Sequence, residues 1–228
     1  MSVIACRGVT RRYAPRGIEP VTAVDDVDLM IDEGSFVVVE GPSGSGKTTL
    51  LGLLAGLEPP DAGGITVLGH DLARLSAAER ARLRQRRIGI VFQSFGLIAS
   101  LRAGENVALP LALAGVPEQE RELRVGAALE EVGLGSSLGA RIDELSGGER
   151  QRVGVARALV IEPAVILADE PTGSLDEENA SGVLVLLTDA VRRRGASLVL
   201  VTHDPASAAR ADRHYRMRDG RLTEEVSA

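Results

Sequence analysis

The chain has 228 residues, of which 44% are hydrophobic and 25% are charged. That length fits one large domain or one domain with an added lobe, and the composition excludes a disordered chain, a collagen-like repeat and a disulfide-stapled miniprotein. The 26 basic and 32 acidic residues give a net charge of -6, which argues against nucleic acid as the main partner. We therefore expect one globular domain over residues 1–228 that binds no nucleic acid.

The single cysteine and the beginning of the chain indicate the cellular compartment. Cys6 has no second cysteine with which to form an internal disulfide, and residues 1–12 contain no apolar core of a secretion signal. No apolar stretch approaches the roughly 20 residues that span a bilayer. We expect a cytoplasmic protein whose association with a membrane is peripheral.

Short apolar runs separated by helix-length segments predict an α/β fold with a largely parallel central sheet. After a loosely alternating segment at 21–29, strands are predicted at residues 36–40, 65–67, 88–92, 165–168 and 198–201. The first apolar run leads through a glycine-rich turn into a helix over residues 47–55. A cluster of turn residues at 59–64 precedes the following strand.

A helical region interrupts this strand pattern. Between residues 104 and 159 the apolar residues recur at helical spacing, as at Val107 and Leu111. This predicts a helical lobe over residues 94–159, inserted between the two core segments 1–93 and 160–228.

The glycine-rich turn has the pattern of a phosphate-binding loop. Residues 41–48, GPSGSGKT, match G-x-x-x-x-G-K-[ST] between a strand and a helix, where backbone N–H groups wrap phosphates. The ammonium of Lys47 is expected to reach the β- and γ-oxygens, and the hydroxyl of Thr48 to ligate Mg²⁺. The alternative is a glycine-rich turn with an incidental lysine. The predicted nucleotide-binding residues here are Gly41, Pro42, Ser43, Gly44, Ser45, Gly46, Lys47, Thr48 and Thr49.

Lys47 is also the only lysine among the 26 basic residues, since the other 25 are arginine. The chain uses arginine almost wherever a cation suffices. We interpret position 47 as one where a compact ammonium fits and the planar guanidinium fork does not.

Two adjacent acids, Asp169 and Glu170, follow the predicted strand at 165–168. Such a pair can bring one carboxylate to Mg²⁺ and the other to a water aligned with the γ-phosphate. We predict that Asp169 anchors the metal and that Glu170 is the general base. The alternative is that both acids only cap the next helix, and the P-loop elsewhere in the chain argues against it.

Residues 145–149, LSGGE, open a segment with helical character over 150–161 and place Ser146 near its N-cap. A serine with two glycines at a helix start makes an anion site. The alternative is a flexible capped helix of the kind found in many proteins. The predicted anion-binding residues are Ser146, Gly147 and Gly148.

Taken together, these segments resemble the ATP-binding subunit of ABC transporters, in matching order from about residue 3 to residue 221. The segments are the P-loop, LSGGERQR at 145–152, VILADEPTGSLD at 165–176 and VTHD at 201–204. IGIVFQSFGLIASL, GENVALPLALAG and LADEPTGSLD resemble most closely the branch that serves lipoprotein release, macrolide or peptide export, and the cell-division complex. The resemblance implies a P-loop NTPase core of the RecA type, with an antiparallel β portion near the N-terminus and an inserted helical lobe.

The resemblance also implies roles for four residues. Tyr13 resembles the residue that stacks on adenine, and Gln93 the glutamine that touches Mg²⁺ or the attacking water. His203 resembles the γ-phosphate sensor that positions the base, and Asp176 the aspartate that communicates across a dimer. Without the resemblance, Tyr13 would be read as a packing residue and Gln93 as an ordinary polar loop residue.

The implied function is a magnesium-dependent ATPase that works as a head-to-tail dimer. The P-loop of one copy and Ser146 to Gly148 of the other would enclose each ATP and power a separate transmembrane permease at the inner face of the cell membrane. The work done would be export, lipoprotein release or mechanotransmission. One alternative is an ABC-type ATPase of DNA repair, which predicts long coiled coils and a basic surface. Another is a regulatory ATP-binding module, against which the intact Glu170 and His203 argue.

Three positions depart from the family pattern. Glu149 stands where glutamine is common, Ser174 where this branch has asparagine, and residues 102–104, RAG, where a Thr-Ala pair is usual. We expect catalysis to tolerate all three. His70 and His214 match no family motif, and we interpret them as surface or core residues.

Overall fold

The computed structural model describes residues 1–14 and 19–225. It divides into two compact units, one of Met1–Ala81 with Ser197–Ala228 and one of Arg82–Ala196. These bounds differ from those predicted from the sequence, which were a helical lobe over residues 94–159 and a core of residues 1–93 with 160–228. The predicted lobes stay a prediction. Within the described part of the chain, no helix has the length and apolar character needed to cross a bilayer.

Ten strands and six α-helices follow one another in the described residues. In chain order they are β1 Ser2–Tyr13, β2 Val21–Asp32, β3 Phe36–Glu40, α1 Lys47–Leu54, β4 Ala62–Val67, β5 His70–Asp71, α2 Ala77–Arg87, β6 Ile88–Val91, α3 Ala103–Leu113, α4 Glu118–Glu131, α5 Gly147–Leu159, β7 Val165–Asp169, α6 Glu177–Arg194, β8 Ser197–Thr202, β9 Arg213–Arg218 and β10 Arg221–Glu225. Short 3₁₀ turns lie at Leu72–Arg74, Gly135–Ser137, Ile142–Glu144 and Pro205–Arg210.

The first unit contains the antiparallel β portion that the resemblance implies. Strands β2, β1, β4 and β5 pair in that order, all antiparallel. The predicted turn cluster at 59–64 is wrong in its second half, because β4 begins at Ala62. Gly63 explains the difference: at φ 79 it lets its backbone approach Gly8 so closely that a Cβ would lie 2.3 Å from the carbonyl oxygen of Gly8. That spacing suits a bulged strand and admits only glycine.

The same unit contains parallel strands that lead to the P-loop. Strand β3 pairs in parallel with β8 and with β9, and β10 returns antiparallel beside β9. Val37, Val38 and Val39 are fully buried, which fits a strand covered on both faces. The carboxyl ends of β3, β8 and β9 therefore lie at one edge, and the loops that follow β3 and β8 begin there.

The second unit joins the parallel strands β6 and β7 to four helices. Ile88 of β6 is in register with Val165 of β7. As predicted, residues 104–159 form no strand apart from an isolated bridge between Arg102 and Arg141, and helices α3, α4 and α5 lie there. Leu129 and Leu159 are fully buried and supply core contacts for α4 and α5. The predicted strands at 88–92 and 165–168 are confirmed to within one residue.

Candidate nucleotide-binding and catalytic site

The loop between β3 and α1 is held close to two neighbouring strands of the first unit. Its first glycine, Gly41, donates its N–H to the carbonyl oxygen of Thr202 at 3.2 Å. A Cβ at Gly41 would lie 2.2 Å from the carbonyl oxygen of Met217. Gly46 caps α1 at φ 106, and a Cβ there would lie 1.9 Å from the carbonyl oxygen of Ala23. Contacts below about 3 Å are not adopted by real side chains, so the loop path requires glycine at both positions.

The only lysine of the chain lies inside this loop. Lys47 is 5% exposed, and its ammonium donates to the carbonyl oxygens of Gly41 at 2.7 Å and Pro42 at 2.9 Å. The ammonium is therefore held at the centre of the loop, with Pro42, Ser43 and Gly44 exposed around it. A cation enclosed by a loop at a helix N-terminus forms a site for an anion.

Three further polar side chains lie in this loop and in the first turn of α1. The Oγ of Ser45 is buried and has no hydrogen-bond partner within residues 1–14 and 19–225. A buried hydroxyl is normally paired, so this one marks a position where a ligand oxygen can bind. Thr48 is exposed in the first turn of α1, and Thr49 beside it is half-buried.

His203 lies beside Gly41 and Pro42, the first residues of the P-loop. A cavity of about 330 Å³ is lined by Glu40, Gly41, Pro42, His203, Arg216 and Arg218. The two arginines come from β9 and were not identified from the sequence. Alternating arginines at the carboxyl end of a strand are the signal that could have found them.

Tyr13 ends β1 in the first unit and is 37% exposed. Its hydroxyl donates to Oε1 of Glu58 at 2.6 Å, and the guanidinium carbon of Arg11 lies 4.9 Å from the ring centroid. Neither Arg11 nor Glu58 was identified from the sequence, because no motif includes Arg11 and Glu58 lies 45 positions from Tyr13 along the chain.

Glu170 and Gln93 meet in the second unit. Asp169 ends β7, and Glu170 follows it in a left-handed conformation with φ 41. Nε2 of Gln93 lies 3.5 Å from Oε2 of Glu170, and a Cβ on Gly173 would approach both at 3.2 and 3.3 Å. A non-glycine residue at positive φ is strained, and such strain is concentrated at functional sites.

The departure at Ser174 has a structural role in this cluster. Its hydroxyl donates to the backbone carbonyl oxygen of Gln93 at 2.8 Å. Serine therefore fixes the backbone that carries the Gln93 amide.

The predicted anion site at Ser146 is a well-capped helix start. Helix α5 begins at Gly147, three residues before the predicted start, because Ser146 and Glu149 form a capping box. The Ser146 Oγ accepts the Glu149 N–H at 3.3 Å, and the Glu149 carboxylate accepts the Ser146 N–H at 2.8 Å. Hydrogen bonds to the Glu149 carboxylate, first from the Ser146 backbone N–H and then from its side chain, lower the pKa of Glu149. Glu149 therefore caps the start of α5 together with Ser146.

Asp176 is connected to the start of α5 through the side chain of Asn179. It caps α6 by accepting the N–H of Asn179 at 2.9 Å, and the Asn179 amide donates to both carboxylate oxygens at 3.0 and 2.8 Å. The Asn179 N–H and then its side chain lower the pKa of Asp176. A Cβ on Gly148 would lie 2.5 Å from Oδ1 of Asn179. Asn179, which the sequence analysis did not identify, thus connects Gly148 with Asp176.

The predicted site residues therefore form four groups, two in each unit. The first unit holds the P-loop with His203, and separately Tyr13 with its neighbours. The second holds Gln93 with Glu170, and Ser146 to Gly148 with Asp176. Within residues 1–14 and 19–225, no cluster of three or more His, Cys, Asp or Glu side chains has the arrangement of a metal site.

Curated proteins from transport systems resemble the chain over nearly its whole length. A family model described as ABC transporter matches residues 24–173. The lipoprotein-releasing system ATP-binding protein LolD of Chromohalobacter salexigens is 44% identical, over 98% of this chain and 94% of that protein. The pyoverdine export ATP-binding/permease protein PvdT of Pseudomonas aeruginosa is 43% identical, over 98% of this chain and 34% of that protein. The macrolide export ATP-binding/permease protein MacB 1/2 of Paracoccus denitrificans is 44% identical, over 96% of this chain and 33% of that protein.

Two solved structures of the ATP-binding cassette MJ0796 share the fold, each with a TM-score of 0.89 and 97% coverage of both chains. One is a dimeric post-hydrolysis state bound to ADP and Pi, 36% identical to this chain. The other is described as the dimeric structure of a bacterial ABC transporter cassette and is 37% identical. These likenesses confirm the predicted fold class, an α/β P-loop NTPase core with mostly parallel strands.

Proposed function

The chain belongs to the ABC transporter family as an ATP-binding and ATP-hydrolysing subunit, and on that premise we propose that it is a magnesium-dependent ATPase whose ATP-driven dimer powers a separate transmembrane permease. The branch predicted from the sequence agrees with the lipoprotein-release and macrolide-export relatives. The observation that carries the proposal is the P-loop, in which Gly41 and Gly46 admit no side chain and Lys47 is enclosed.

The P-loop binds the triphosphate of ATP. Backbone N–H groups at the start of α1 and the Lys47 ammonium surround a space in which phosphate oxygens replace the loop carbonyls as acceptors. The buried Ser45 hydroxyl then gains the partner that it lacks within residues 1–14 and 19–225. Tyr13 stacks on the adenine ring, and His203 contacts the γ-phosphate from the cavity that it shares with Gly41.

The residues assigned to Mg²⁺ have the donor chemistry that this ion prefers. Thr48, Gln93 and Asp169 offer a hydroxyl, an amide oxygen and a carboxylate, and Mg²⁺ binds such hard oxygen donors together with phosphates and waters. When bound, the ion neutralises charge on the β- and γ-phosphates. Phosphate oxygens and waters would complete the coordination of a bound ion, so three acidic ligands would not be required.

Glu170 acts as the general base. Its carboxylate accepts a proton from the water that attacks the γ-phosphorus, while the bond to the leaving oxygen of ADP breaks. The Gln93 amide, 3.5 Å from the Glu170 carboxylate, orients that water. The products are ADP and inorganic phosphate.

Two copies of the chain enclose ATP between them. The N-terminus of α5, capped at Ser146, presents free N–H groups and the positive end of the helix dipole to the γ-phosphate bound by the other copy. Asp176 communicates across the same interface. Closure on ATP and opening after hydrolysis then move a permease subunit at the inner face of the cell membrane.

The test is a phosphate-release assay on the purified chain with ATP. We expect turnover with Mg²⁺ and none with excess EDTA. Glu170→Gln should lower turnover at least about 100-fold while ATP affinity stays within about twofold, because general-base catalysis contributes 10²–10⁴-fold. The matched control is Glu122→Gln, which removes an exposed acid of α4 in the same unit and should retain wild-type turnover. Wild-type turnover in Glu170→Gln would remove Glu170 from the role of base.

A further inference from the structure

The side chain of Tyr13 is held from two directions by residues that no motif includes. Its hydroxyl donates to Oε1 of Glu58 at 2.6 Å, a short bond of the kind that a charged acceptor makes. The guanidinium carbon of Arg11 lies 4.9 Å from the ring centroid, within the range of a cation–π contact. A phenol bonded at its tip and covered on one face has little rotational freedom.

The two holding residues are themselves fixed. Arg11 and Glu58 form an ion pair with Nη2 to Oε2 at 2.8 Å and Nε to Oε2 at 2.9 Å, a two-donor contact. Asp61 adds a second carboxylate, 3.1 Å from Nη1 of Arg11, and accepts the N–H of Arg12 at 2.6 Å. The side chains of Arg11 and Glu58 are 20% and 27% exposed. Partial burial and several bonds for each group separate this network from an ordinary surface ion pair.

We propose that Arg11 and Glu58 are positioning residues that hold the Tyr13 ring so that one face receives the base of the nucleotide. This inference rests on the proposed function, in which Tyr13 stacks on adenine. Arg11 occupies one face of the ring, and the 37% exposure of Tyr13 leaves ring surface for a flat ligand. Because the ring is already ordered in the free protein, nucleotide binding does not lose the conformational entropy of the Tyr13 side chain.

The network should affect binding of the base of the nucleotide and not binding of its phosphates. Loss of the network should weaken ligands that contain a base and leave ligands that bind only the P-loop unchanged. A structural role in the unit as a whole would weaken both. ADP and inorganic tripolyphosphate are therefore the two probes, each titrated by calorimetry into the whole chain.

Four variants complete the experiment. Tyr13→Ala should weaken ADP at least about fivefold, the range of one base stacked on an aromatic side chain. Glu58→Ala and Tyr13→Phe should each weaken ADP by about three- to tenfold, since both abolish the bond between hydroxyl and carboxylate. All three should bind tripolyphosphate as the wild type does. The control is Glu33→Ala, an exposed acid in a turn of the same unit, which should bind both probes normally.

The outcomes distinguish this inference from the proposed function. If Tyr13→Ala weakens ADP but Glu58→Ala and Tyr13→Phe do not, the positioning role is wrong and the stacking role stands. If Tyr13→Ala leaves ADP unchanged, both are wrong. Equal weakening of ADP and tripolyphosphate by Glu58→Ala would show a structural role instead, and Tyr13→Phe decides the question if Glu58→Ala does not fold.

Discussion

Alanine at Gly46 should damage the P-loop far more than alanine at Gly44. Both glycines have positive φ, 106 at Gly46 and 79 at Gly44. A Cβ at Gly46 would lie 1.9 Å from the carbonyl oxygen of Ala23, whereas one at Gly44 meets nothing within 4 Å. The pair therefore separates backbone strain, which both variants suffer, from collision, which only one does.

The magnitudes follow from these two terms. A left-handed conformation costs a residue with a Cβ about 1–2 kcal/mol, and the loss of glycine's freedom in the unfolded chain offsets about 0.4–1 kcal/mol in both variants. Forcing a backbone shift in a packed region costs a further ~1–3 kcal/mol. We expect Gly46→Ala to be less stable than Gly44→Ala by about 1–3 kcal/mol.

Urea unfolding measures this difference directly. The Gly46→Ala variant should also bind ATP at least about tenfold more weakly, because the shifted loop displaces the N–H groups that wrap the phosphates. The loss of about one hydrogen bond to phosphate, ~1.4 kcal/mol, corresponds to a tenfold change in Kd. A difference in unfolding free energy below about 0.5 kcal/mol, which is the scatter of neutral substitutions, would refute the reasoning from close contacts.

Three further predictions concern Lys47, the contact between Gly148 and Asn179, and the dependence of stability on pH through Asp176. Lys47→Arg keeps the charge but should lose most phosphate release, because the guanidinium fork crowds the loop; turnover within about twofold of wild type would contradict this. Gly148→Ala should displace the Asn179 amide from Asp176 and lower stability by about 1 kcal/mol relative to Gly147→Ala, whose Cβ meets only a side chain at 3.5 Å; equal stabilities by urea unfolding would contradict it. Because hydrogen bonds from Asn179 lower the pKa of Asp176, the stability that this carboxylate adds is present above its unfolded pKa and is lost as pH falls through the folded one. Asp176→Ala should therefore unfold with a shallower dependence on pH below about pH 4, which acid titration followed by circular dichroism would reveal.

Local sequence signals predicted those parts of the fold that depend on local chemistry. Apolar runs placed β3 and β7, because a strand buried on both faces needs only contiguous apolar residues. The P-loop was predictable for a similar reason, since its glycines, its lysine and the flanking strand and helix are contiguous. The start of α5 was missed by three residues because glycines weaken helix propensity, although the Ser146 to Glu149 spacing carries the signal of a capping box.

Contacts between distant segments could not be predicted. Glu58 reaches Tyr13 across 45 positions, and no motif connects them. Asn179 meets Gly148 only because α5 and α6 pack together in the second unit. In both places a motif contains the residue that we propose to meet the ligand, Tyr13 or Gly148, but not its neighbour in space, Glu58 or Asn179.

The most direct test of the account is whether Ser146 serves the ATP of the opposite copy. In a Glu170→Gln background, ATP should produce a dimer that size-exclusion chromatography resolves. Ser146→Arg in that background should retain binding in a fluorescent-ATP titration and lose the dimer, because in the proposed dimer the exposed N-cap of α5 contacts ATP only across the interface. Dimers that persist in the double variant, with the ATP dependence of the parent, would contradict the composite site and the proposed generation of force.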